Sequence, residues 1–185
     1  MVVYLLTSHP AGLSLVLWMS LASLFAHQFE EYRYPGYFPG MFNSVMFSSE
    51  RPDRYPLNAN TAVVINLGVG WVPYFLAALF GTGAIWLGIG SILISVGNFV
   101  LHTFVFTIRG RRIYNPGLLT SVVLFLPVSA YFFYLVLVNG VASTADWVLG
   151  IGLGIVLFYV GIVKVNDWLK DENTPYVFPE RFLMK

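Results

Sequence analysis

The stretch "PAGLSLVLWMSLASLFAHQFEEYRY", Pro10–Tyr34, is apolar for most of its length and then ends on one imidazole and two adjacent carboxylates. Its first part is long enough to cross a hydrocarbon core, which needs ~20 helical residues. The chain repeats this pattern. Apolar runs at Ala11–Phe29, Asn60–Phe80, Ala84–Ile108, Gly117–Val138 and Trp147–Leu169 predict five membrane-spanning helices. Of the 185 residues, 57% are hydrophobic and only 10% charged, against about 25% charged in soluble domains. The expected fold is therefore all-α, a polytopic bundle forming one transmembrane domain over residues 1–185, with no room for a second.

The first residues, "MVVYLLTSHP", have no basic segment and no evident cleavage site, so a removable signal peptide is not expected. Pro10 suits the first turn of a helix, with His9 on the outer surface. The chain has no cysteine, which excludes disulfides and thiolate metal ligands.

Basic residues set the expected orientation. Arg33, Arg51 and Arg54 follow the first span, Arg109, Arg111 and Arg112 the third, and Lys164, Lys170, Arg181 and Lys185 close the chain. The connections "GTG" and "NGVASTAD" carry no lysine or arginine. Every basic residue then fits one topology, amino terminus out and carboxyl terminus in the cytoplasm. The expected location is the cytoplasmic membrane, with the polar residues near its inner face. The three arginines after the third span also have the chemistry to grip a phosphate head group.

The connection 32–57 begins "YRYPGYFPGMFNSVMF", in which aromatics alternate with Pro-Gly pairs. Pro and Gly break helices, and Tyr and Phe favour the membrane interface, so this segment is expected to lie along the inner leaflet and to cover a site. Asn58 or Asn60 is the expected cap of the second helix. Small residues at helical spacing (Ala84 and Gly88, Ser91 and Ser95, Gly150 and Gly154) predict close helix packing in lipid.

Three polar clusters fall at one depth. His27, Glu30 and Glu31, at i, i+3 and i+4, share a helix face. In "NFVLH", Asn98 and His102 share another at i, i+4. "YNPGLLT" supplies Tyr114, Asn115, Pro116, Gly117 and Thr120. Asn66 lies about 9 Å below the start of the second helix at 1.5 Å per residue. Ionisable groups inside a membrane are costly and mark function by default. Two neighbouring glutamates need compensation: a divalent metal, a raised pKa, or pairing with Arg33 or Lys164. Neutral imidazole with carboxylate suits zinc, iron or manganese.

Bland readings stand beside these. Glu31 has Arg33 as an alternative partner at the head groups. Asn98 and Asn66 are commonly bridges between helices, and Tyr114 suits an interface anchor. Lys164, Asn166 and Asp167 close the last helix at the same level and either complete the site or are ordinary helix-end polarity.

The ordered set "HQFEE", "NFVLH" and "YNPGLLT" resembles the uncharacterised membrane-protein family named for its His-x-x-Glu-Glu motif, over roughly Ala11–Thr120. The resemblance implies His27, Glu30, Glu31, Asn98, His102, Tyr114, Pro116, Gly117 and Thr120 as family-defining, and it implies no settled activity. A looser similarity, by analogy only, links the chain to glutamate-dependent membrane proteases that process prenylated proteins.

The expected function is a metal-dependent, hydrolase-type membrane enzyme acting on a lipid or other hydrophobic substrate at the cytoplasmic side. His27, Glu30, Glu31 and His102 are the candidate metal ligands. Glu30, Glu31, Asn98 and Tyr114 are the candidate catalytic groups, with Asn66, Pro116, Gly117 and Thr120 in support. The glutamate not bound to metal would act as general base. The partners expected are the bilayer and its hydrophobic substrate, with no nucleic acid. The alternatives are a metal-free glutamate hydrolase or protease and a proton- or ion-coupled carrier.

Overall fold

The computed structural model describes residues 9–184, with side chains from residue 12 onward; the readings for His9 and Pro10 side chains and for Lys185 lie outside this range. The described chain is helical and contains no strand. Helix α1 spans His9–Tyr32, α2 Phe38–Phe47, α3 residues 59–80, α4 residues 85–110, α5 Leu118–Asn139 and α6 Thr144–Leu169.

Four helical stretches are long and apolar enough to cross a membrane, and one of them runs unbroken from Ala59 to Gly110 over 52 residues. At 1.5 Å per residue it would reach about 78 Å if straight, more than twice a hydrocarbon core. It folds back instead at Gly81–Ala84, where Gly81 has φ 54° and Ala84 φ −144°. Gly81 adopts that left-handed backbone without a Cβ penalty. The result is α3 and α4 lying side by side, hence five spanning rods.

Helix α1 shows why the site lies where it does. Leu13, Val16, Leu17, Ser20, Leu21, Leu24, His27 and Glu31 are all buried, and their spacing traces one helical stripe. His27 and Glu31 continue the core face of α1, while Trp18, Phe25 and Phe29 are exposed on the outside of the bundle. At the end of the bundle remote from His27, Leu17, Ile89, Ile92 and Phe132 pack into one apolar cluster. A second cluster, with Leu24, Tyr74, Ile94 and Phe125, lies between that core and the polar end.

The expected close approaches are made on α4 and α6. A Cβ on Gly150 would lie 2.6 Å from Ile89, and one on Gly154 2.9 Å from Leu93. Ser95 bonds the Tyr74 hydroxyl at 2.7 Å. Asn58, not Asn60, caps α3 by accepting from the Thr61 amide at 2.9 Å. Helix α6 buries only 11% of its most apolar stretch and is the most lipid-exposed rod.

The segment 32–57 contains a helix that the Pro-Gly pattern hid. In α2, Pro39 occupies the first turn, where its missing N–H costs no bond, and Gly40 lets Leu183 and Phe182 pack against the backbone. Buried Asn43 ties the following loop to α2, donating to the Leu57 carbonyl at 2.8 Å and accepting from its amide at 2.9 Å. The tail beyond α6 joins the same layer through Phe178, which donates to the Asp53 carbonyl at 2.7 Å. Helix α2, its loop and the tail together cap one end of the bundle. The arginines at 33, 51, 54, 109, 111 and 112, Lys164, Lys170 and Arg181 lie at that end. The 81–84 and 140–143 turns at the other have no basic residue.

Candidate metal centre

Three elements meet beneath the cap. Helix α1 brings His27 and Glu31, α4 brings His102, and the turn before α5 closes over both rings. Among the described residues, His27, Glu31 and His102 form one group of metal-capable side chains, all buried, with one ligand atom from each within 4.8 Å of the others. Glu31 Oε1 lies 3.5 Å from His27 Nε2 and 3.4 Å from His102 Nε2. The imidazole rings stand edge to face, 4.9 Å apart.

The hydrogen bonds around the rings assign their tautomers. Asn115 Nδ2 lies 2.9 Å from the His102 carbonyl, which can only accept, so this atom is the amide's donor. Its Oδ1 then faces His102 Nδ1 at 2.7 Å, so Nδ1 carries the hydrogen. For His27, Thr120 Oγ1 lies 2.5 Å from Glu30 Oε2 and donates to that carboxylate. The same oxygen accepts from His27 Nδ1 at 2.9 Å. In the neutral rings both Nε2 atoms therefore present lone pairs toward the one Glu31 carboxylate, and as lone pairs neither accepts a hydrogen bond from another group.

Two lone pairs and a carboxylate oxygen in a buried space repel one another without a cation, and buried polar atoms are seldom left unsatisfied. Charge-assisted N–H···O bonds are typically ~2.7–2.9 Å, shorter than the separations here. Two ligands on a tetrahedral ion with bonds near ~2.1 Å stand about 3.4 Å apart. The residues fit a divalent metal.

Glu30, the neighbour of Glu31, is placed differently. Its Oε1 accepts from the Tyr114 hydroxyl at 2.8 Å and the Leu119 amide at 3.1 Å. Its Oε2 accepts from the Thr120 amide at 2.8 Å as well as from Thr120 Oγ1. This carboxylate caps the first turn of α5, where free N–H groups and the helix dipole favour an anion. Burial and the bond to Glu30 hold the Tyr114 hydroxyl above its ordinary pKa, so it stays a donor.

The turn "NPGL" explains its own composition. Leu118 donates to the Asn115 carbonyl at 3.0 Å, with Pro116 and Gly117 between and Gly117 at φ 101°, ψ −15°, the pattern of a type II turn. A Cβ on Gly117 would overlap His102 Cε1 and lie 2.8 Å from His27 Cε1. Only glycine lets this turn pack against the edges of both imidazoles.

Asn98 and Asn66 do not reach the His-Glu group. Asn98 donates to the Ile94 carbonyl at 3.0 Å in its own helix, and Asn66 accepts from Gln28 at 3.2 Å. Both border a cavity of about 480 Å3 that also meets His27 and Glu31. Lys164, Asn166 and Asp167 border it as well. Phe38 of α2 lies 5.5 Å from the His102 ring, so the aromatic cap covers that imidazole. His102 itself lies in a π-helical stretch, Leu101–Phe106, a wider turn often found at functional sites. Asn115, the partner of His102, stands within the "YNPGLLT" cluster, but nothing in its spacing distinguishes a ring-orienting amide from a turn residue.

The comparison that decides kinship is with a family described as a protein of unknown function with HXXEE motif, whose model matches residues 18–132. The chain belongs to the HXXEE family. No curated protein and no solved structure matches the chain. The HXXEE match begins within α1 and ends within α5, so it takes in all three elements of the centre while leaving α6 outside. In structural terms the motif divides in two: His27 and Glu31 face the group with His102, and Glu30 holds the third motif in place.

Proposed function

We propose that this HXXEE protein is a metal-dependent membrane enzyme of hydrolase type acting on a hydrophobic substrate. One observation carries the reading: the unpartnered Nε2 atoms of His27 and His102 converge with Glu31 in a buried space beside a largely apolar cavity. These three side chains would hold the ion, zinc, iron or manganese by donor chemistry. A divalent ion there would supply Lewis-acid polarisation and bring the pKa of water toward neutrality.

The chain's own residues then have distinct roles. Asn115 and the Thr120–Glu30 pair fix the tautomers, so that both Nε2 atoms face the ion, as outer partners of metal ligands commonly do. Glu31 is the member of the glutamate pair that borders the cavity and would serve as a ligand, while Glu30, occupied by Tyr114, Leu119 and Thr120, is withdrawn from both the ligand and the base roles. Tyr114 braces Glu30. Phe38 against the His102 ring and Phe125 against the His27 ring restrict water. Asn98 and Asn66 offer polar contacts to a substrate along the cavity wall.

The packed apolar half of the bundle, with Phe132 wholly buried, favours an enzyme with a site at one end over a carrier with a polar path. The positive end of the bundle supports a cytoplasmic placement of the centre.

Metal analysis of the purified protein tests this reading. Wild type is expected to hold about one divalent ion per chain, and Glu31→Gln and His102→Ala to lose it, since each ligand contributes directly to affinity. Wild-type protein purified without chelator that carries no stoichiometric metal, and binds none on titration, overturns the proposal.

A further inference from the structure

We propose that the cavity is a site for a long-chain amphiphile with an anionic head, the chain against the apolar wall and the head at Lys164. This deepens the hydrophobic-substrate reading above and rests on the same cavity, but not on the metal.

The cavity's volume of about 480 Å3 falls in the ~300–1,000 Å3 range of small-molecule sites. Leu24, Ile65, Val69, Ile94 and Phe158 supply apolar wall. Exposed Phe47 on α2 and exposed Tyr159 on α6 also border it, so it is open between those helices, at the level where a lipid chain could enter.

Lys164 is the residue that specifies the head. It lies in α6, half-buried, and borders the cavity. Among the described residues it has no hydrogen bond or ion pair; its contact is the Tyr159 ring, 5.8 Å from Nζ. A lysine reaching for the head-group layer would extend toward Leu169. This one points instead toward a residue five positions deeper. Its neighbour Lys170, by contrast, is paired with Asp167 at 2.6 Å. The acid near it, Asp167, is held by Lys170; a cation with no contacting counter-charge in a membrane-spanning helix is costly, and an anionic head entering the cavity would lower that cost.

Asn166 supplies a second, independent sign. It is 8% exposed, borders the cavity, and its Oδ1 has no hydrogen-bond partner. A side-chain amide offers an acceptor at one end and two donors at the other. It can therefore take a head-group hydroxyl or, reversed, donate to an anionic oxygen in the cavity that Lys164 also borders.

The test uses full-length protein in nanodiscs of neutral lipid and a fluorescent polyene fatty acid as probe, beside its methyl ester. The carboxylate is expected to bind more tightly than the ester by about tenfold or more. Lys164→Gln should remove that preference while leaving ester binding unchanged. Competition separates the head groups: displacement by oleate alone assigns a carboxylate, and displacement by oleoyl-lysophosphatidate as well admits a phosphate. Equal binding of acid and ester in wild type overturns the proposal, as does a preference that survives Lys164→Gln or displacement of the probe by inorganic phosphate alone. Glu31→Gln separates the two readings. Retained acid preference in that variant supports the amphiphile site whatever becomes of the metal, and a metal-loaded wild type without acid preference leaves the metal reading standing alone.

Discussion

Asn115 has no contact with the space between the imidazoles, yet it governs what His102 offers there. Its amide cannot reverse without placing Nδ2 against Nδ1–H and Oδ1 against a carbonyl, so it locks the ring with Nε2 free. Asn115→Ala is therefore expected to lower metal affinity about 10–100-fold while the helical fold persists, as loss of such partners typically does. Competition against a chelating dye, with circular dichroism alongside, measures both; unchanged affinity would remove Asn115 from the centre. At this scale the sequence was partly legible. His27 and Glu31 were visible because polar residues on a buried apolar stripe are anomalous. Glu30 was indistinguishable from Glu31 in composition and depth. Their separation arises because residues one apart on a helix point about 100° from each other, which sends Glu30 to α5 and Glu31 to α4.

At the level of elements, α2 is the part the sequence concealed. Pro and Gly signal a break when they fall inside a helix, but Pro39 and Gly40 fall in a first turn, where they are tolerated. The helix is held from outside, by Phe38 against His102 and by Asn43 against the backbone of Leu57. Asn43→Ala leaves the Leu57 amide N–H and the carbonyls of Leu57 and Pro52 short of partners, a loss of about 1–3 kcal/mol per unsatisfied group. The expected outcome is faster proteolytic cleavage within residues 48–57 and a lowered thermal midpoint, with cleavage elsewhere unchanged. Protection equal to wild type would show that Asn43 does not secure the cap. The spanning helices were legible to within a few residues, because solvation by lipid demands long apolar runs whatever the tertiary partners. Asn58 rather than Asn60 as the cap of α3 was a choice between two equivalent residues, settled by which one precedes the first helical turn.

For the whole molecule, the asymmetry of charge predicts which surfaces share a side of the membrane. The chain has no cysteine, so single substitutions report cleanly. Glu50→Cys, in the cap, and Thr82→Cys, at the α3–α4 turn, should label from opposite sides in sealed membranes, with Glu50→Cys protected from an impermeant reagent applied outside. Labelling of both from one side would contradict five crossings, and external labelling of Glu50→Cys alone would reverse the proposed orientation. The tail's attachment to this cap through Phe178 and Leu183 was not visible in a polar, proline-containing stretch. It depends on apolar residues finding a surface, made by α2 and α3, that exists only once the helices have packed.

The amino-acid sequence by itself determined the helical rods, the likeness to the HXXEE family and the depth of its polar residues. Each is set by single-chain properties: apolar length, helical period and charge. Only the tertiary structure decided which groups face one another: Glu31 with two imidazoles, Glu30 with the α5 amides, Gly117 against both rings. Those pairings depend on how α1 and α4 are rotated about their axes. That rotation is fixed by packing of Gly150 on Ile89 and of Phe132 against Leu17 and Gly88, interactions between residues far apart in the chain that no local pattern records.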